Sequence, residues 1–271
     1  MKQFILRILG YLEIIINRIF IYLRIKLLKT SETTDNVNSP ESWEKMYMVP
    51  VKPFSMNYSE VGEAILKFTT DGDSLLETGC GSGELSAYLA LQNRKIHMCD
   101  FSDQILQRAS ELFKVSNIPL YGNYNVDITK KFPFKDNEFD AVWSSGVLEH
   151  WTDDELVVII DECVRVSKKC VISIIPNNSS LAYRFGRELC ESNGIAPWGR
   201  EMPRSTFLPL FESAGLKNIH EEVLSLNMAN HFIHLLNPSF GKQLSNWMKT
   251  LPADDDVLKN QGYLLLTVGY K

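Results

Sequence analysis

The sequence predicts an α/β protein built on a doubly wound, mostly parallel sheet. Three observations predict it. Short apolar strands alternate with helical stretches between residues 73 and 176. A loop with alternating glycines, ETGCGSGE at 77–84, follows the first strand directly. Acidic residues recur in register with successive strands, at Glu77, Asp100 and Asp127.

The amino terminus, MKQFILRILGYLEIIINRIFIYLRIKLLKT, is rich in Ile and Leu, and charges interrupt it at Arg7, Glu13, Arg18, Arg24 and Lys26. No uncharged run reaches the roughly 18–20 residues of a membrane span. No small-residue cleavage site follows, so a secretory signal fits poorly. On a helical projection Gln3, Arg7, Gly10, Glu13, Asn17, Arg18 and Arg24 gather on one side. Ile5, Leu9, Leu12, Ile16, Ile19, Leu23 and Leu27 form the opposite stripe, and Lys26 falls off the polar side. The pattern suits an in-plane membrane helix with a basic face. It equally suits a helix packed on the domain or on a second subunit. Residues 1–29 therefore read as an amphipathic helix. Residues 30–42 read as a polar linker, and 43–271 as the main domain.

Within that domain, helices are expected at 41–47 and 59–69. A strand is expected over DSLLET (73–78), a helix over 84–92, a strand over KIHMCD (95–100) and a helix over 102–113. A short strand lies within 120–128. FDAVWSS (139–145) is a strand, 152–166 a helix and KCVISIIP (169–176) a strand. After an insertion at about 177–206 come a helix at 207–216, with Gly215 ending it, and a strand at 217–226. A second insertion at 228–256 precedes the final strand at 262–271.

Composition narrows the function. The 271 residues are 45% hydrophobic, enough for one domain with appendages. A net charge of -5 argues against a general nucleic-acid binder. The cysteines, Cys80, Cys99, Cys163, Cys170 and Cys190, form no CxxC pair and are odd in number, which points to a reduced, cytoplasmic compartment. No Cys/His cluster has metal-ligand spacing, and His231 and His234 suit packing or capping better than a metal.

The loop discriminates between ligands. Gly79, Gly81 and Gly83 permit positive φ and close approach by a ligand. A dinucleotide fingerprint would place its third glycine where Glu84 stands, and no GK[ST] ending of a phosphate loop is present. An acid at the loop mouth would repel a pyrophosphate. The loop suits a cationic, phosphate-free ligand, and S-adenosylmethionine carries a sulfonium and an ammonium. Asp100 ends the second strand where a ribose-binding acid belongs. Asp127 can accept from an adenine amino group, with Phe101 and Ile128 sandwiching the ring. A lone strand-end Asp would read as a cap or turn residue. Three in register favour a ligand.

ETGCGSGE, CDFS, NVDI and FDAVWSSGVLEHW, in this order and spacing, resemble the class I S-adenosylmethionine-dependent methyltransferases, in the small-molecule branch called methyltransferase type 11. The resemblance covers about residues 43–225. It implies a Rossmann-like, seven-stranded sheet whose last strand is antiparallel. It places Glu77, Gly79, Cys80, Gly81 and Gly83 against the donor's amino-acid portion. It places Asp100 on the ribose, with Phe101, Asp127 and Ile128 around the adenine. Ser144, Ser145 and Gly146 would lie near the methyl group. Thr78 departs from the apolar residue or proline more usual there.

Methyl transfer from a sulfonium is an in-line displacement that needs alignment, plus a base when oxygen attacks. His150 is the candidate base; its other reading is a structural Glu-His element beneath the next helix. Tyr183, Arg184, Arg187, Trp198 and Arg200 are the candidate acceptor-binding residues. Their arginines suit an anionic acceptor, or else pair with Glu188, Glu191 and Glu201. The apolar second insertion reads as packing, or as a mouth for a lipid-linked acceptor.

The expected activity is O-methylation of a small-molecule or lipid- or glycan-linked acceptor in the cytoplasm. It could take place at the inner face of a membrane reached by residues 1–29. The alternatives are C-methylation of a quinone-like or isoprenoid acceptor, and a non-catalytic donor-binding scaffold held at a membrane. Nucleic acid is not expected as a partner, because no Asn/Asp-Pro-Pro-aromatic motif follows the fourth strand.

Overall fold

A computed structural model describes residues 2–28, 39–47, 49–195, 201–252, 254–255 and 258–271. The strands are β1 (Ser74–Thr78), β2 (Lys95–Asp100), β3 (Gly122–Asn125), β4 (Phe139–Ser145), β5 (Ser167–Pro176), β6 (Lys217–Leu224) and β7 (Leu264–Tyr270). They form one seven-stranded sheet in the order β3-β2-β1-β4-β5-β7-β6. β1 pairs in parallel with both β2 and β4, and β4 with β5. β7 runs antiparallel between β5 and β6. The chain steps outward from β1 to β3 and then returns to β4, so the order reverses beside β1. Open α/β sheets bind ligands in the crevice beyond the strand ends at such a point.

Both faces of the sheet are covered, which is why its central strands are runs of apolar residues rather than alternations. Leu75 packs with Ile65, Ala87, Ile96, Phe113 and Trp143 on one face. Leu76 packs with Val142, Leu156, Ile159, Phe207 and Phe211 on the other. The first face is covered by α3 (Glu60–Leu66), α4 (Glu84–Leu91) and α5 (Asp103–Val115), and the second by α6 (Asp153–Val166) and α8 (Leu208–Ser213). Ser102 caps α5 by accepting from the Ile105 N–H. Thr152 and Glu155 form a capping box at the start of α6.

The two insertions come together. α7 (Leu181–Ser192), α9 (His231–Leu236) and α10 (Pro238–Met248) pack as a helical unit around Tyr183, Cys190, Phe232 and Leu236. Two further helices precede the sheet, α1 (Lys2–Leu28) and α2 (Pro40–Tyr47).

Gly83 has a packing role. It begins α4 at φ 73, and a Cβ there would lie 3.0 Å from the Ala109 Cβ and 3.5 Å from the Met98 sulfur. It does not line the cavity described below. Its lack of a side chain lets α4 sit close to α5 and β2. Gly83→Ala is expected to lower stability by about 1–2 kcal/mol through the left-handed backbone, seen as a lower urea midpoint. Donor affinity of the folded protein should stay within a few-fold of wild type.

Candidate active site

A cavity of about 530 Å³ opens at the carboxyl ends of β1, β2 and β4, at the reversal of strand order. Of the residues expected to bind a cofactor, Glu77, Gly79, Cys80, Gly81, Asp100, Phe101, Asp127, Ile128, Ser145 and Gly146 line it, and so does His150. Ser144 does not. Successive strand residues face opposite sides, so Ser144 shares the face of Val142 and stands beside Ser173 of β5.

Glu77 projects from β1 and is 4% exposed. Its carboxyl accepts a short hydrogen bond from the Ser86 hydroxyl. Burial pushes its pKa up to about 8, with the neighbouring Asp100 charge adding to the rise against the Ser86 bond. Asp100 accepts from the Ser102 N–H at 3.1 Å and from the Gly81 N–H at 3.4 Å. Burial raises its pKa despite these bonds. No lysine or arginine among the described residues lines the cavity. Two buried acids thus face a common space with no cation to balance them.

Asp127 lies at the other edge. It accepts from the Thr129 N–H and hydroxyl and pairs with Lys130 at 2.9 Å. Burial opposes ionisation there, but Thr129 and Lys130 hold its pKa below the usual value. It organises its own turn as well as lining the cavity.

Helix α2 covers the mouth, which the sequence did not reveal. Trp43 and Tyr47, one turn apart, both line the cavity. The Tyr47 hydroxyl sits where a Cβ on Gly81 would be 2.6 Å away, so a side chain at Gly81 and the closed helix exclude each other. Burial, followed by the Asp100 charge, pushes the Tyr47 hydroxyl up to about 12. Glu44 fastens α2 to α5 by accepting from the Ser102 hydroxyl and the Gln104 amide. The legible signal was the i, i+4 spacing of two aromatic residues in ESWEKMY.

His150 also lines the cavity. It belongs to a short 3₁₀ turn, Leu148–His150, and stands edge-on to Trp43 with ring centres 5.0 Å apart. Its Nε2 is 3.9 Å from Glu149 Oε1. Glu149 is 2% exposed, and its Oε2 has no hydrogen-bond partner among the described residues. Burial, then the charge of Glu201, holds its carboxyl well above the usual range.

The expected acceptor residues lie elsewhere. Tyr183 is fully buried in the helical unit and donates to Glu201. Arg187 is buried, 3.0 Å from Glu201 and 2.6 Å from Glu191. Arg184 is exposed on α7 and does not line the cavity. Arg204 binds Asp153 and the Trp151 carbonyl. Arg187 and Arg204 are thus engaged in internal pairs. Trp198 and Arg200 fall outside the described residues.

Comparison with known proteins agrees with this geometry. Residues 75–170 match the family described as a methyltransferase domain. The chain is 28% identical to the N-terminal Xaa-Pro-Lys N-methyltransferase 1 of Xenopus tropicalis over 38% of this chain; the match spans 42% of that relative, less than half its length. It is 22% identical to an uncharacterized methyltransferase of Geobacillus kaustophilus, over 72% of this chain and 93% of that one. Among solved structures, a SAM-dependent methyltransferase from Aquifex aeolicus superposes with a TM-score of 0.51 at 14% identity, covering 86% of this chain and 98% of that one. One from Archaeoglobus fulgidus gives 0.52 at 13% identity, covering 86% and 95%. Residues 75–170 thus carry a matched methyltransferase domain, and the fold is that of the class I S-adenosylmethionine-dependent methyltransferases, a likeness that implies S-adenosylmethionine as the cofactor. The seven-stranded sheet with an antiparallel β7 is the Rossmann-like arrangement expected.

Glu77 makes stability depend on pH. Between about pH 5 and 8 the unfolded chain has released a proton that the folded chain keeps on Glu77, so stability falls as pH rises. The contribution is about 1.4 kcal/mol per pH unit. Urea unfolding at several pH values in this window should show the stability gap between Glu77→Gln and wild type widening in the variant's favour as pH rises. A constant gap would place the Glu77 pKa near its ordinary value.

Proposed function

We propose that the chain transfers the methyl group of S-adenosylmethionine to an uncharged or cationic acceptor presented at the His150 end of the cavity. The observation that carries this reading is the pair of buried acids, Glu77 and Asp100, facing a cavity that no lysine or arginine among the described residues lines. Such a donor set fits a ligand with two positive centres and no phosphate. When bound, the donor supplies a methyl group already activated by its sulfonium. Glu77 and the 79–82 loop would hold its cationic end, Asp100 its ribose hydroxyls, and Phe101, Asp127 and Ile128 its adenine.

The protein's own work is positioning and proton removal. α2 closes over the loop through Trp43 and Tyr47, excluding water and fixing the line of approach. His150 would accept the proton of an attacking hydroxyl, making O-methylation the leading chemistry. Trp43 and Trp151 beside it offer aromatic walls to the acceptor body. A second reading, a lipid-borne acceptor, is favoured by the exposed apolar surface of α1 near the helical unit.

Calorimetric titration of the purified protein tests the donor site. S-adenosylmethionine and S-adenosylhomocysteine are expected to bind at micromolar concentration, NADH not at all, and Asp100→Ala is expected to lose both ligands. Absence of binding in wild type would overturn the donor reading. Once an acceptor is in hand, His150→Ala should lower kcat by about 10²–10⁴-fold with donor affinity unchanged. Full turnover in that variant would remove the base role.

A further inference from the structure

α1 is an unbroken helix of 27 residues, Lys2–Leu28, about 40 Å long at the usual helical rise. Ile5, Leu9, Leu12, Ile16, Ile19 and Leu23, the residues of one stripe, are each 48–55% exposed, although the helix approaches α9. A row of apolar side chains is thus left in water along the helix. Among the described residues no helix is long and apolar enough to cross a membrane. The surface therefore suits lying along a lipid face rather than passing through it.

Charge selects the partner. The α1 segment carries Lys2, Arg7, Arg18, Arg24 and Lys26 against Glu13, a net +4. The whole chain is -5, so the remainder carries -9. A second α1 laid against the first would bring +4 onto +4. An anionic bilayer offers both what the stripe needs, an acyl boundary, and what the arginines need, phosphate. It also repels the acidic remainder, so that α1 has to supply the contact. We propose that α1 lies in the plane of an anionic lipid surface, its Ile5–Leu23 stripe sunk into the acyl boundary and Arg18 turned to the headgroups. This rests on α1 alone and stands or falls separately from the methyl-transfer reading.

Flotation of the full chain with vesicles tests it. The protein is expected to rise with phosphatidylcholine vesicles doped with phosphatidylglycerol and to stay down with phosphatidylcholine alone. Arg7→Gln combined with Arg18→Gln should weaken binding roughly 30-fold, from the usual contribution of a basic residue near an anionic leaflet. Leu12→Gln with Ile16→Gln, both at exposed positions, should abolish flotation while leaving S-adenosylhomocysteine binding intact as a check on folding. Three results would overturn the proposal: no flotation of wild type with anionic vesicles, flotation unaffected by the glutamines in the stripe, or a concentration-dependent dimer that the same glutamines dissolve without any vesicle binding.

Discussion

Two carboxyl groups without a cation, Glu77 and Asp100, set the constraint on which the rest of the structure bears. They sit at the dry ends of parallel strands, where burial penalises their charge. A fold keeps such groups only where something compensates them, and here the described residues offer only hydroxyl and backbone donors. The sheet creates the constraint by burying β1 and β2 on both faces. The reversal of strand order beside β1 turns it into a cavity. α2 then shields that cavity from water, which strengthens every electrostatic interaction inside it.

The helical unit built from the two insertions has a different economy. Arg187 and Glu201 are internal partners, and Tyr183 donates to Glu201 in the same network. Glu149 joins this network electrostatically, and its Oε1 lies 3.9 Å from His150 Nε2. The unit therefore braces the wall carrying His150. Beside His150 the cavity is lined by the aromatic surfaces of Trp43 and Trp151 and by Glu155.

Much of this was legible in the sequence, for definable reasons. β2 and β4 coincide with the stretches read as KIHMCD and FDAVWSS, because the buried apolar residues of each, Ile96, Met98 and Cys99 in one and Ala141, Val142 and Trp143 in the other, run up to polar residues that end the strand. The 77–84 loop was legible because few structures other than a tight strand-to-helix turn need alternating glycines. Ser144 was misplaced because a motif read as a string hides the alternation of strand faces. For Arg187 the structure shows the internal pairing with Glu191 and Glu201 that the sequence offered beside acceptor binding: Glu191 lies a helical turn away, and Glu201 arrives through tertiary packing. Trp43 and Tyr47 were missed as lining residues because α2 meets the loop only when the chain folds back over more than thirty residues of sequence.

The most direct measurement is the ionisation of Glu77 itself, followed through its ¹³C-labelled side-chain carboxyl by NMR in the free protein and with S-adenosylhomocysteine, whose ammonium group remains. The free protein should titrate near pH 8, and bound ligand should move the midpoint down by more than one pH unit, since a cation beside a carboxyl stabilises its charged form. A Glu77 midpoint near 4.5 in the free protein, or one that ligand leaves unmoved, would contradict the role assigned to the buried acids.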